Sequence, residues 1–220
     1  MVRTGTGSGA QSAGGRGNIK ANIMYKDPAA WDRTNSFALV SYIPEPLAGF
    51  LDRMRQELVP DCFLRAHVTI LPPRPISSSP GAAWDLIRWL APQFAPFDVE
   101  LTNIEVFPVS DVIYVNIASG TEQLMKMHGA MNADGLRFPE PFAYHPHVTL
   151  AQKLQPDQVD ELTRVARARW AQCSYSKTFR VEQAVFVQNT RNFGWIDLGE
   201  CRLGHDDAKL VGEFTDQVVL

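Results

Sequence analysis

Two short runs hold the residues able to do chemistry: His67-Val68-Thr69-Ile70 and His147-Val148-Thr149-Leu150, 80 residues apart. With 5 histidines and 11 threonines in 220 residues, two such His-x-Thr tripeptides arise by chance with a probability of about 0.025. On a strand, residues i and i+2 project to the same face. His67 and Thr69 then point one way and Val68 and Ile70 the other, and His147 and Thr149 repeat the arrangement. If two lobes pack about a pseudo-two-fold axis, two imidazoles and two hydroxyls converge on one cleft. An imidazole, with an ordinary pKa of about 6.5, can be neutral and accept a proton or charged and donate one. Threonine hydroxyls can hydrogen-bond the non-bridging oxygens of a phosphate as charge builds there. That set suits in-line attack on a phosphodiester without a metal.

The surrounding pattern supplies the elements that would position these groups. Ser36–Ile43 is a compact apolar run and reads as a buried strand. Leu47, Phe50, Leu51, Met54 and Leu58 follow at helical spacing behind Pro44 and Pro46. Ala66–Leu71 reads as a strand ended by Pro72–Pro73. Ser79–Pro80 is an N-cap and first-turn pair for a helix carrying Trp84, Ile87, Leu90 and Phe94. Phe97–Phe107 alternates as a strand, and Val112–Ala118 is another. Thr121 can cap a helix bearing Leu124, Met127, His128 and Met131, stopped near Gly135. Pro146–Ala151 is a strand, Val159–Trp170 an amphipathic helix, and Thr178–Gln188 and Trp195–Leu203 two further strands. The order β-α-β-α-β-β-α-β-α-β-β predicts a mixed α/β, or α+β, domain. A duplicated lobe with one motif strand in each explains the 80-residue repeat.

Composition bounds the rest. Hydrophobic residues are 45% and charged residues 20% of the chain, ordinary for a globular protein. No run approaches eighteen apolar residues, so no membrane partner is expected. Residues 1–20 hold three basic residues, no acid and six of the fifteen glycines, and residues 1–34 read as a weakly ordered tail. No strand precedes those glycines and no GK[ST] follows, so they are not a phosphate loop. The segment lacks an apolar core of a secretory signal. Residues 21–220 carry 18 basic and 24 acidic side chains, a balance that excludes a general binder of duplex DNA. Three scattered cysteines, Cys62, Cys173 and Cys201, with no CxxC, point to a reducing cytoplasm. The working domain is read as residues 35–204, with 205–220 as a C-terminal tail.

The tandem HxTx motifs, their separation and the strand–helix order resemble the two-histidine (2H) phosphoesterase superfamily. Within it, His67–Pro75 (HVTILPPRP) is similar to the bacterial 2′-5′ RNA ligase-like branch, and the resemblance covers about residues 35–203. It implies two lobes with antiparallel sheets around a central cleft, one HxTx strand per lobe, and helices outside. It also implies metal-independent chemistry on 2′,3′-cyclic or 2′-5′-linked phosphodiesters, without a cofactor. His67 and His147 become the acid/base pair, and Thr69 and Thr149 the phosphate-binding hydroxyls. Many members place an arginine soon after the second motif, where this chain reads Ala151-Gln152-Lys153. Lys153 shares the parity of His147 and is expected to supply that charge as a point donor. Arg65 and Arg74 are the other candidate phosphate contacts. The expected partner is an RNA terminus or a small nucleotide, met by a cytoplasmic monomer.

Other readings compete. His145 and His147 form His-Pro-His, but no third ligand stands at recognisable spacing for a metal. His128 reads as a core or partly exposed helix residue. Tyr144, Phe142, Phe107 and Trp31 could stack a base beside the cleft. Loops Pro72–Gly81 and Phe138–His145 are the expected cleft walls. A non-catalytic nucleotide or RNA sensor is the alternative function, and a metal-dependent hydrolase, which a chelator would inactivate, is a third.

Overall fold

The structure is a computed structural model, and it describes residues 32–192, 194–205, 209–212 and 214. The tail expected over residues 1–34 lies outside the described residues as far as Trp31. The first strand, β1 (Arg33–Tyr42), begins three residues before the expected Ser36. Then come α1 (Leu47–Leu58), β2 (His67–Arg74), α2 (Pro80–Leu90), β3 (Phe97–Val106), β4 (Ile113–Ser119), α3 (Thr121–Met131) and β5 (His147–Ala151). The chain closes with α4 (Val159–Ala171), β6 (Thr178–Val181), β7 (Gln183–Thr190), β8 (Trp195–Arg202) and the two-residue β9 (Lys209–Leu210).

These strands form two antiparallel sheets, ordered β2-β1-β7-β8-β9 and β5-β4-β3-β6. Each HxTx strand is therefore an edge strand, one per sheet, and β2 packs beside β5. The run expected as one strand over Thr178–Gln188 is two. β6 pairs with β3, and after Glu182 β7 pairs with β1 in the other sheet. The lobes are thus not successive halves of the chain, because its last strands return to the first sheet.

Two local expectations change for physical reasons. β2 runs through Pro72–Pro73 to Arg74 rather than stopping before them. Proline cannot donate to a ladder, but an edge strand needs partners on one side only. The register slips there, with Leu39 opposite Leu71 and Phe37 opposite Arg74. The residue capping α3 is Gly120, not Thr121. Its φ of 86° favours glycine, and a Cβ would sit 2.7 Å from the Asp98 carbonyl oxygen. The Ser79 hydroxyl does cap α2, accepting from the Ala82 amide at 3.2 Å.

The core follows the predicted apolar faces. Leu47, Leu51, Met54 and Leu58 of α1 are buried, as are Leu124, Met127 and Met131 of α3. Helices α1 and α4 pack against the second sheet, and α2 and α3 against the first. A second, small apolar cluster of Ala38, Val40, Val185 and Val187 occupies the first sheet beside Tyr42 and Trp195. Pairing across the ladders sets Tyr42 opposite His67 and Val40 opposite Thr69; in the other sheet Asn116 stands opposite His147 and Tyr114 opposite Thr149.

Candidate active site

Each motif histidine is the first residue of its edge strand, and the approach segment supplies its anchor. The Nδ1–H of His67 donates to the Arg65 carbonyl oxygen at 2.7 Å. The Nδ1–H of His147 donates to the His145 carbonyl oxygen at 2.6 Å. A carbonyl has no proton to give, so Nδ1 must carry it in both rings. In the neutral state both histidines then present Nε2 as the proton acceptor. Two residues in unrelated sheets solve the tautomer problem in the same way, two positions back along the chain.

Their surroundings differ. His67 is only 6% exposed, with its ring 4.5 Å from that of Trp195. Burial, reinforced by the positive charge of Arg55, holds its pKa down at about 3. His147 stands edge-on to Phe107 and Tyr114, at 5.0 and 5.2 Å between ring centres. Burial lowers its pKa too, against the opposing pull of the His145 carbonyl. Its Nε2 lies 3.1 Å from the Thr149 hydroxyl, which donates to the neutral ring.

A cavity of about 470 Å³ opens beside the second motif. Thr69, His147 and Thr149 line it, while His67 does not belong to this lining. Both loops expected as walls contribute, through Pro72–Arg74 and through Phe138 and 140–145. A third wall is Phe107–Ser110 at the turn between β3 and β4, of which the sequence singles out only Phe107. Of the aromatics proposed for base stacking, Phe107, Phe142 and Tyr144 line the cavity, and Trp31 lies outside the described residues. Phe142 is exposed, whereas Phe107 is stacked on Tyr114 at 4.0 Å.

The three cationic candidates part company. Arg65 stays beside His67, its guanidinium 3.4 Å above the Tyr42 ring and its Nη1 donating to Asp197 at 3.3 Å. The Tyr42 hydroxyl donates to the same carboxylate at 2.5 Å. Arg65 is thus a pre-set, largely exposed cation beside the first motif, outside the cavity lining. Arg74 is 2% exposed and directs its donors inward, to the Pro72 and Leu136 carbonyls, Asn132 and Glu140. It clamps β2 to the 132–140 segment, and it also belongs to the cavity lining beside Thr69 and His147. Lys153 does not line the cavity. β5 ends at Ala151 and Lys153 takes a left-handed φ of 58°, so strand parity no longer aims it. Gln152 lines the cavity instead.

Sequence reasoning also passed over a network behind the first motif. The Tyr144 hydroxyl donates to the Thr69 carbonyl at 2.7 Å. Its ring stacks on His128 at 3.9 Å, nearly parallel. His128 donates from Nδ1 to the Ile70 carbonyl at 2.9 Å, and its Nε2 lies 3.5 Å from the Glu140 carboxylate that pairs with Arg74. These residues come from β2, α3 and the cavity loop, so no spacing along the chain signals them. Among the described residues, no three His, Cys, Asp or Glu side chains gather as a metal-ligand set. No helix among them is long and apolar enough to cross a membrane.

Comparison with known proteins agrees with this architecture. A sequence profile of the 2′-5′ RNA ligase superfamily matches residues 43–192, which include both motifs. A protein of Bacillus licheniformis bearing a provisional phosphoesterase name is 27% identical over 136 residues, 60% of this chain and 80% of that protein. A similarly named Bacillus pumilus protein is 24% identical over 136 residues, 60% of this chain and 79% of that one. Among solved structures, LigT of Escherichia coli in apo form superposes with a TM-score of 0.55 at 15% identity, covering 79% of this chain and 98% of LigT. LigT complexed with 3′-AMP gives a TM-score of 0.55 at 14% identity, covering 77% and 98%.

Proposed function

The chain belongs to the 2′-5′ RNA ligase superfamily, and on that premise we propose that it is a metal-independent phosphodiesterase. It opens 2′,3′-cyclic phosphates, or cleaves and forms 2′-5′ linkages, at RNA ends or in small nucleotides. The observation that carries this reading is the matched pair of Nδ1–H anchors, which leaves the Nε2 of His67 and of His147 as the proton-handling atoms.

In hydrolysis, the neutral imidazole takes a proton from water at Nε2 as the water oxygen bonds to phosphorus. The bond from phosphorus to the ribose oxygen breaks, and that oxygen takes a proton from Nε2–H of the other, charged imidazole. Thr69 and Thr149 donate to the non-bridging oxygens, and Thr149 gives up its bond to His147 to do so. Arg65 supplies positive charge beside His67. The reaction needs no cofactor, because the two rings handle both protons. Ligation is the same sequence with an RNA 5′-hydroxyl in place of water, and its reverse cleaves a 2′-5′ linkage to give the cyclic phosphate and a 5′-hydroxyl. The cavity walls of Phe107, Phe142 and Tyr144 suit a nucleoside beside the phosphate, and LigT is known in complexes with 3′-AMP and with ATP. The setting we assign is a monomer in a reducing cytoplasm, in keeping with three free thiols.

The test is hydrolysis of a nucleoside 2′,3′-cyclic phosphate in excess EDTA by wild type, His67→Ala and His147→Ala. Product from wild type alone, with both variants slowed by about a hundredfold or more, is the expected result. Equal rates in all three would overturn the assignment. Nucleotide-dependent thermal stabilisation without any product would favour a binding module instead.

A further inference from the structure

Arg55 is a charge that the chemistry above does not use. It lies on α1, is 3% exposed, and forms no ion pair among the described residues. The Asp52 carboxylate, one turn earlier on α1, is within electrostatic reach but accepts none of the hydrogen bonds of Arg55, and a buried cation needs partners. Its hydrogen bonds show where it is spent: Nη1 donates to the Leu64 carbonyl at 3.0 Å and to the Arg65 carbonyl at 3.2 Å, and Nη2 to the Cys62 sulfur at 3.4 Å. Its Nε is buried with no partner among the described residues. The Arg65 carbonyl therefore receives two donors, Arg55 Nη1–H and His67 Nδ1–H. His147 has the same kind of anchor, the His145 carbonyl, but that carbonyl sits on an exposed residue, and no described side chain donates to it besides the His147 ring.

We propose that Arg55 is a positioning residue that makes His67 the proton acceptor of the pair, by holding the Arg65 carbonyl that orients the ring and by setting a buried positive charge behind it. This rests on the phosphodiesterase reading above and removes its remaining symmetry. His67 takes the proton of the attacking water at Nε2, and His147, beside Thr149 in the cavity wall, gives its Nε2 proton to the leaving oxygen. The groups facing His67 are Arg55 from α1, Arg65 with its partner Asp197 from β8, Tyr42 from β1 and His147 from β5. Three of these are cations or can become one; the Asp197 carboxylate is already shared by Arg65 and Tyr42, and the Asp52 carboxylate on α1 faces Arg55 and Arg65 and accepts from the Ala66 amide. The field at His67 thus opposes a second proton, and Arg55 is its buried, permanent component.

The experiment uses the full chain. Imidazole nitrogen-15 shifts are recorded against pH for wild type, Arg55→Lys and Arg55→Met, beside rates of cyclic phosphate hydrolysis from pH 5 to 8. In wild type, His67 is expected neutral at pH 6 with its proton on Nδ1. In Arg55→Met the His67 titration moves up from about 3 by about one unit or more, and kcat at pH 5 relative to pH 8 falls by about a tenth for a rise of about one unit and about twofold for a rise of about two, with KM little changed. Arg55→Lys keeps the charge and holds the titration near the wild-type position. A charged His67 in wild type at pH 6, or an unmoved titration in folded Arg55→Met, would overturn the proposal. Should Arg55→Met not fold, the wild-type tautomer and its persistence in Arg55→Lys decide. The titration is read without turnover, so an inactive wild type with the expected His67 behaviour counts against the phosphodiesterase reading alone.

Discussion

The Tyr144 hydroxyl reaches across from the cavity loop to the backbone carbonyl of Thr69, 75 positions earlier in the chain and in the middle of the first HxTx motif. Burial raises the pKa of that hydroxyl, so it remains a donor at any working pH. The bond couples the loop that shapes the cavity to the strand that carries a phosphate-binding hydroxyl. Tyr144→Phe keeps the stack on His128 and removes only the tether. The expected outcome is a loss of about 1–2 kcal/mol in urea denaturation, together with a KM raised about threefold to tenfold. An unchanged KM would show that the loop is held by its ring contacts alone.

Arg74 and Glu140 make a second connection between the same loop and β2, almost fully out of solvent on the arginine side. A buried pair of this kind contributes little net stability while both partners stand, but breaking it leaves the survivor unpaired. Arg74→Met is expected to cost about 3–5 kcal/mol, because Glu140 then keeps a charge beside His128 with no arginine. The double variant Arg74→Met/Glu140→Leu is expected to recover a substantial part of that loss. Urea midpoints of the two variants and wild type provide the comparison; a double variant no more stable than Arg74→Met would contradict it.

The motif strands and most helices were legible because their signals are local. His67 and Thr69 sit two apart on a strand, and Leu47, Leu51, Met54 and Leu58 repeat at helical spacing. The split of Thr178–Gln188 into β6 and β7 left no local trace, since both halves have strand-like composition and the sheet change at Glu182 is a tertiary event. The anchoring carbonyls of Arg65 and His145 were equally hidden, as any residue has a carbonyl. Arg55 and Glu140 carry no signal in the sequence, and His128 reads only as a core or partly exposed helix residue, because their partners come from other elements.

Lys153 and Gln152 show what a backbone turn does to a parity argument. The left-handed conformation at Lys153 leaves Gln152 on the cavity wall directly after β5. Gln152→Ala is expected to raise KM for a cyclic phosphate by about threefold to tenfold through loss of one polar contact. Lys153→Ala is expected to change KM less, and any change should shrink in high salt, as for a charge acting at a distance. A larger, salt-independent effect at Lys153 would return it to direct phosphate contact.

The depressed pKa of His67 also sets how stability depends on pH. In the unfolded chain the ring titrates at about 6.5, whereas in the folded protein burial first, then Arg55, keep it neutral to about 3. Between these values the unfolded state binds more protons than the folded state, so unfolding becomes easier as pH falls. The folded protein is penalised only below about 6.5, and the penalty stops growing near 3. From pH 7 to pH 5 this one group is expected to remove about 2 kcal/mol from the unfolding free energy. His147, lowered for the same reason, adds to the trend. His67→Gln cannot titrate, so its stability should fall less between pH 7 and pH 5 by that same amount. Equal falls in wild type and His67→Gln, measured by urea denaturation at the two pH values, would show that the folded protein accepts the proton on His67 near the ordinary pKa.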